Sequence, residues 1–523
     1  MKHAQAVVAA GSPGTARVAA EILARGGNAV DAACAACLAT SAHEPVLTSL
    51  AGGGVMLVHD AASGQAHIID FFSNAPGLGR AEDGGRDFEP VTVDFGGAKQ
   101  VFHVGRAAAA VPGTLPGLAI AHQRFGRLPV EELIEPACTA LRRGVVLDAF
   151  QASTFGLLHP ILTRSEGTRA IYAPGGRQLQ AGDRFANPAL ADTLQAMARV
   201  GLARFVEQEL GPLLLRDFGV AAGGGLTAED LRHYQVRVLE PRRGRYRGVD
   251  IATHAWPSHG GTLMLTMLSL LEAIDLPALG RASDAFLAAL VAAQRTASAV
   301  KSAGRDPLAG DGLEAWRAHF EALRTGAAVP STRDLTGPGH TTHISVIDAQ
   351  GNAAAVTISY GEGCGHMLGD TGIVLNNFMG EDDLHPAGFF TVEAGTRLQT
   401  NMCPTRVIAG DRLMVLGSGG ANRIRTAIAQ VLLNLIDFGM SPAEAVNAGR
   451  LHVEDGVVNA EVFDLSEAVT RLDALAAGDQ VLCFERPSMF FGGVHLALRH
   501  ADGRVEGAGD PRRSGHVEIV ECP

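Results

Sequence analysis

The sequence predicts an α+β fold, and three patterns carry that prediction. Alternating apolar runs closed by tight turns mark antiparallel hairpins, the clearest at residues 341–359. Capped stretches with an apolar stripe mark helices, among them 12–24, 28–41 and 130–143. Clusters of glycine punctuate the junctions, at 26–27, 52–54, 223–225 and 417–420.

In chain order, Ser12 is an N-cap and Pro13 the favoured first-turn residue of a helix that Gly26-Gly27 stops. Asn28 opens a second, alanine-rich helix. Gly52-Gly53-Gly54 then leads into a strand at 55–59, which pairs with 66–72 and ends at Asn74-Ala75-Pro76-Gly77. A phosphate cradle on those glycines would need a following Lys-Ser/Thr, which is lacking. A polar stretch to Lys99 is expected as a surface excursion. Helices follow at 114–122, 130–143, 189–199 and 228–233. Tyr246-Arg247-Gly248 introduces a strand, and residues 257–261 cap the next helix, an apolar run at 262–274. A long helix covers 282–302, and residues 325–339 form a Gly, Ala, Pro, Ser and Thr-rich loop expected to be mobile. After the central hairpin come strands at 406–408 and 412–416, a helix to residue 437, a short helix at 442–447, and strands at 457–462, 480–484 and 493–498.

Composition narrows the function classes. With 43 basic and 55 acidic residues the formal charge is -12, which gives no electrostatic reason to expect nucleic acid or an anionic membrane surface. The expected partner is a small molecule. No apolar run is long enough to span a bilayer, and the N-terminus shows no signal-peptide pattern, so a cytoplasmic location is expected. Seven cysteines do not suggest a disulfide framework. Cys34 and Cys37 form a CxxC inside a helix without a second pair, which favours buried helix residues over metal or redox chemistry.

The hairpin at 341–359 carries the chemistry. Gly337-Pro338-Gly339 precedes Thr341 and Thr342 at its mouth, and Asp348 with Gly351-Asn352 makes its turn. A threonine hydroxyl needs a base to become a nucleophile, and cleavage just before it would expose an α-amine able to serve. With a pKa of about 8, that amine is partly unprotonated near neutral pH. A Thr-Thr pair alone is also an ordinary way to begin a strand. The wider pattern decides: Thr341-Thr342-His343, Ser345-Val346, Asp348, Gly351-Asn352-Ala353, Gly372-Ile373 and Leu375-Asn376-Asn377 resemble, in order, the start of the small subunit in the gamma-glutamyltransferase (gamma-glutamyltranspeptidase) family. Residues 26–33 and Asn447-Ala448-Gly449-Arg450 extend the resemblance over nearly the whole chain.

The resemblance implies the N-terminal-nucleophile hydrolase fold, an αββα four-layer sandwich of two stacked antiparallel sheets flanked by helices. It implies one intertwined domain, made as a precursor and cut into segments 1–340 and 341–523 that stay together as a heterodimer. Thr341 would be nucleophile and base, and Ser359 stands where the family has a second threonine. The amides of Gly420 and Ala421, in Gly417-Ser418-Gly419-Gly420-Ala421, would stabilise the oxyanion, with alanine tolerable if its φ is negative. That stretch also imitates half a dinucleotide fingerprint, without the final Gly or Ala and acidic partner. His340 and His343 form an HxxH, but no third ligand is evident and the two would face opposite sides of a strand. No metal or organic cofactor is implied.

The family holds a γ-glutamyl group through its α-carboxylate and α-amine, and here this chain departs from it. Phe72 replaces the arginine that pairs with the carboxylate, in Phe71-Phe72-Ser73-Asn74-Ala75-Pro76. Phe378 replaces a Gln or Glu, Glu381 (or Asp382, with one insertion) matches an aspartate, Thr400-Asn401 match a serine pair, and Gly361 replaces an asparagine. A carboxylate left without its arginine is costly to bury. Either the acyl group is less polar at its far end, or Arg397, Arg406 or Arg423 holds the carboxylate, or the alignment slips and Arg80 or Arg106 reaches the site. Three functions follow: a γ-glutamyl hydrolase or transferase passing the acyl group to water or an amine, a cephalosporin-acylase-like amidase, or an unprocessed binding protein.

Overall fold

The computed structural model describes residues 4–80, 85–94, 99–281, 283–326, 340–454, 456–462 and 480–522. Most of the loop expected at 325–339 lies outside the described residues.

Two antiparallel sheets form the centre. The first has seven strands, which we number β1 (Ala4–Ala10), β2 (Gly53–His59), β3 (Ala66–Asp70), β4 (Arg237–Leu239), β7 (Thr342–Ile347), β8 (Ala353–Ser359) and β13 (His516–Cys522), in the order β13-β1-β7-β8-β2-β3-β4. The second has six, β5 (Arg242–Tyr246), β6 (Val249–Thr253), β9 (Thr405–Ala409), β10 (Arg412–Gly419), β11 (Gly493–Arg499) and β12 (Val505–Ala508), in the order β12-β11-β10-β9-β6-β5. Strands β7 and β8 face β10 and β11 across the interior. Helices α1 (Pro13–Ala24) and α2 (Ala29–His43) belong to the layer over the first sheet; α3 (His259–Leu271), α4 (Asp284–Ala303) and α5 (Arg423–Ile436) belong to the layer over the second. The result is the four-layer αββα arrangement.

The central hairpin shows why these residues fold this way. Ile344, Val346, Val356 and Ile358 point to the helical layer, while Ile347, Ala353 and Ala355 point to the second sheet. Both faces are therefore dry, and the larger side chains contribute roughly 1.5–3 kcal/mol each on burial. A one-residue slip would exchange the two faces, and the turn prevents it. Asp348 Oδ1 accepts from the amides of Gln350 (3.0 Å) and Asn352 (2.9 Å), and Oδ2 accepts from Ala29 N (3.1 Å), pinning the turn to the start of α2. Gly351 takes φ 90°, which a side chain would resist.

Helix α2 is buried on nearly every side, and its alanines and cysteines are small enough to sit between the sheet and its neighbours. Cys34 and Cys37 are packed inside it, with burial pushing both thiols far above their ordinary range.

Several expectations need correction. The stretch before Lys99 is not all surface excursion: Glu89–Asp94 pairs with Lys99–Val104, because Val93, Phe102 and Val104 bury themselves in an outlying apolar cluster with Phe155 and Tyr172. Tyr246-Arg247-Gly248 does introduce a strand, β6, and is also the turn that joins it to the unforeseen β5, with φ of 50° at Arg247 and 77° at Gly248. Strands β1 and β13, which pair with each other, and the helix Gly312–Arg324 were not anticipated. β1 is a short apolar run buried on both faces, a pattern without the alternation that announces a half-exposed strand.

Candidate active site

Two sheets deliver their strand ends to one point. β7 begins at Thr342, directly after Thr341, and β8 ends at Ser359 beside it, the register being set by Thr342 opposite Ile358. Ser359 Oγ donates to the carbonyl oxygen of His340 at 2.5 Å and accepts from Gly361 N at 3.0 Å. The hydroxyl thus rests on the carbonyl of the peptide bond between His340 and Thr341.

From the second sheet, β10 runs to Gly419, whose backbone lies against Thr341. A Cβ at Gly419 would stand 2.1 Å from the Thr341 carbonyl oxygen, so only glycine permits the approach. Arg513 Nη1 donates to the same oxygen at 3.2 Å. That guanidinium is fully buried, and burial, reinforced by Arg423, pulls it down to about 9.

The chain then turns sharply into α5, with φ of 115° at Gly420 and 48° at Ala421. The condition set for alanine at this position, a negative φ, is not met, because the chain reverses between the end of β10 and the start of α5 within a few residues. A non-glycine residue in that region costs roughly 1–2 kcal/mol. Neither backbone N–H of Gly420 nor of Ala421 has a partner among the described residues. Two successive unengaged amides at the mouth of a helix are available as hydrogen-bond donors.

A cavity of about 50 Å³ opens at this junction, lined by His340, Thr341, Ser359, Gly361, Ala421, Phe72, Phe378, Glu381, Thr400 and Asn401 among others. The nucleophile, Ser359, Ala421 and the residues matched to the substrate pocket, Phe72, Gly361, Phe378, Glu381, Thr400 and Asn401, all lie on it, and Gly420 immediately precedes Ala421. Of the two alternatives at the aspartate position, Glu381 lines the cavity and Asp382 does not. Phe72 packs on Phe378 with ring centroids 4.7 Å apart, so the aromatic residue does occupy the pocket.

Among the described residues no lysine or arginine lines this cavity. Arg397 donates to Tyr234 Oη (3.1 Å) and Gln235 O (2.6 Å) and faces Asp70; Arg406 reaches His59 (3.1 Å). Arg423 donates to Phe490 O (3.1 Å), and Arg106 pairs with Asp87 (3.2 Å). None of the proposed substitutes for the missing arginine, Arg80 included, reaches the lining.

Sequence reasoning missed Glu362, Asp383, Leu384, Met402 and Ile424, which complete the lining, and Arg513. Glu362 was one residue from Gly361 and carried the only available signal, a carboxylate beside the β8 terminus. Its Oε1 lies 3.2 Å from His340 Nδ1, with both side chains buried. A Cβ on Gly361 would stand 2.0 Å from Glu381 Oε1, so the carboxylate fills the space that a side chain there would take. Burial, and then the charges of Glu362 and Asp383, raise Glu381 well above the usual carboxylate range. Burial pushes Asp383 up to about 6, against the pull of Lys301.

The other histidine of the HxxH faces elsewhere: His343 lies between Thr357 Oγ1 (2.8 Å) and Ser345 Oγ (2.9 Å), and burial holds it neutral. Among the described residues no group of three or more His, Cys, Asp or Glu is placed to hold a metal ion.

The geometry agrees with comparisons against known proteins. The gamma-glutamyltranspeptidase family profile matches residues 15–520. The chain is 33% identical over 526 residues to the "Acylase ACY 1 proenzyme" of Pseudomonas sp. (strain SE83), covering 97% of this chain and 92% of that protein. It is 29% identical over 543 residues to the "Glutathione hydrolase proenzyme" of Escherichia coli (strain K12), covering 97% and 90%. The crystal structure of a cephalosporin acylase from Bacillus halodurans superposes with a TM-score of 0.81 at 22% identity, over 99% of this chain and 96% of that one, and shares its fold. Four layers, two stacked antiparallel sheets and a full-length match place the chain in the gamma-glutamyltranspeptidase family of N-terminal-nucleophile hydrolases, which are enzymes.

Proposed function

We propose that the chain cuts itself between His340 and Thr341 and then acts as an amidase or acyltransferase through the freed Thr341. The observation that carries this reading is Ser359 Oγ at 2.5 Å from the His340 carbonyl oxygen. A hydroxyl donating to that oxygen draws electron density from the carbonyl carbon, which the adjacent Thr341 hydroxyl attacks. The C–N bond breaks, the proton from Oγ passes to the departing nitrogen, and water hydrolyses the resulting ester.

In the mature enzyme the Thr341 α-amine takes the proton from Oγ as it attacks a substrate amide, and returns it to the leaving amine. The amides of Gly420 and Ala421 hold the negative oxygen, worth about 3–4 kcal/mol per donor in comparable sites. Water or an amine then resolves the acyl-enzyme. With Phe72 and Phe378 in the pocket and no cation on its lining among the described residues, the acyl group is one that does not require a carboxylate partner. Similarity to an acylase proenzyme supports this over a strict glutathione hydrolase. Similarity to a glutathione hydrolase proenzyme supports the second reading, a γ-glutamyl donor.

The test is a denaturing gel with mass spectrometry of the fragment termini. Wild-type protein is expected to give two fragments, the smaller beginning at Thr341. Thr341→Ala is expected to give one band at the full 54.4 kDa and no release of aniline from butanoyl anilide. A single full-length band from wild type, fresh and aged, indistinguishable from the variant, would return the chain to a binding role.

A further inference from the structure

The uncut chain displays an acyl group in its own pocket. The bond to be broken joins the His340 carbonyl to Thr341, so His340 is the first acyl group that Thr341 receives. Its imidazole lines the cavity, and Nδ1 lies 3.2 Å from Glu362 Oε1. Glu362 is 2% exposed, and its second oxygen, Oε2, has no hydrogen-bond partner; Glu381 Oε1 is likewise buried and without one. Buried carboxylate oxygens without donors are costly, and a donor arriving with the acyl group would relieve that cost.

The covalent path fixes where that donor belongs. From the His340 carbonyl carbon it runs through Cα, Cβ and Cγ to Nδ1. A 4-aminobutanoyl group places its nitrogen at the end of a path with the same number of bonds. Glu362, Glu381 and Asp383 gather carboxyl oxygens on one side of the cavity, and among the described residues no Lys or Arg lines it. Phe72, Phe378, Leu384, Met402 and Ile424 offer an apolar wall to methylene groups, and the neutral Thr400 and Asn401 beside them give a carboxylate no counter-charge.

Resting on the acyl-enzyme reading above, we infer that the pocket takes γ-amino acyl groups lacking an α-carboxylate, with Glu362 receiving the nitrogen that His340 vacates. Thr341 forms the ester with the 4-aminobutanoyl carbonyl, the leaving amine departs with the proton from Oγ, and water releases 4-aminobutanoate.

The experiment compares kcat/KM for 4-aminobutanoyl, butanoyl, glutaryl and γ-glutamyl anilides on the self-processed full chain and on Glu362→Gln. Rates are normalised to the cleaved fraction on a gel. The 4-aminobutanoyl anilide is expected to exceed the butanoyl one by roughly 10- to 100-fold, the gain of one hydrogen bond to a charged group. In Glu362→Gln that ratio is expected to fall towards unity. Equal rates for the two in wild type, a preference for γ-glutamyl or glutaryl anilide, or an unchanged ratio in Glu362→Gln would overturn the inference. If Glu362→Gln does not process, calorimetry of 4-aminobutanamide and butanamide on wild type decides, equal affinities overturning it. A wild-type chain that stays uncut overturns both readings. A cut chain that releases aniline from none of the four overturns the acyl-enzyme reading alone, and the same calorimetry then decides the pocket.

Discussion

At the scale of single residues, Ser359 does two jobs with one hydroxyl: it donates to the His340 carbonyl and accepts from Gly361 N. Alanine there removes a donor from a carbonyl that gains negative charge as Thr341 attacks. Loss of one such donor costs roughly 10²–10³ in rate, so Ser359→Ala is expected to slow fragment formation by that factor. Ser359→Thr, which keeps the oxygen, is expected to retain most of the rate. A time course on a denaturing gel measures both, and equal rates for Ser359→Ala and wild type would remove the hydroxyl from the mechanism. The position was legible in the sequence because it closes a hairpin whose turn and register follow from Asp348, Gly351 and Asn352. The partner of the hydroxyl was not, since it depends on how the segment before Thr341 lies against β8.

At the scale of elements, the meeting of β7 and β10 depends on the absence of a side chain. Gly419→Ala would set a Cβ 2.1 Å from the Thr341 carbonyl oxygen, backbone against backbone, with no flexible side chain able to yield. The expected result is a displaced loop at Gly420-Ala421, little or no fragment formation, and a loss of about 1–3 kcal/mol in stability by urea unfolding. Normal cleavage by Gly419→Ala would show that the oxyanion donors lie elsewhere. The glycine run was visible as a strand-to-helix turn, but its contact with the other sheet was not. Which glycine is indispensable follows from the approach of two strands far apart in sequence. The left-handed Ala421 has the same origin: local preference argues against it, and the placement of α5 requires it.

Across the whole molecule, burial sets the pH response. Glu44, at the end of α2, accepts from Thr15 Oγ1 at 2.6 Å, and burial raises it from an ordinary 4.5 to about 7. The folded chain therefore keeps a proton that the unfolded chain releases, so the stabilisation is full below the unfolded value and is lost as pH rises through the folded one. Between about pH 5 and pH 8 the loss amounts to about 2–3 kcal/mol, and Glu44→Gln is expected to flatten the decline by that much in urea unfolding. An identical slope in variant and wild type would place the titration elsewhere. The C-terminal segment is held by a buried ionic group. Arg512 pairs with Glu461 at 2.5 Å and Asp510 at 3.2 Å, and Arg450 pairs with Asp510 at 2.6 Å, joining three separate segments of the chain. Many of the capped helices, the central hairpin, the family and the set of residues around Thr341 were readable along the chain, because each rests on local periodicity, turn chemistry or an ordered motif. Long-range packing alone brings Glu362 to His340, leaves the pocket without a lining cation among the described residues, sets Gly419 against Thr341 and pairs β1 with β13. Those outcomes depend on contacts between distant segments and on burial, and neither is written in the neighbours of a residue along the chain.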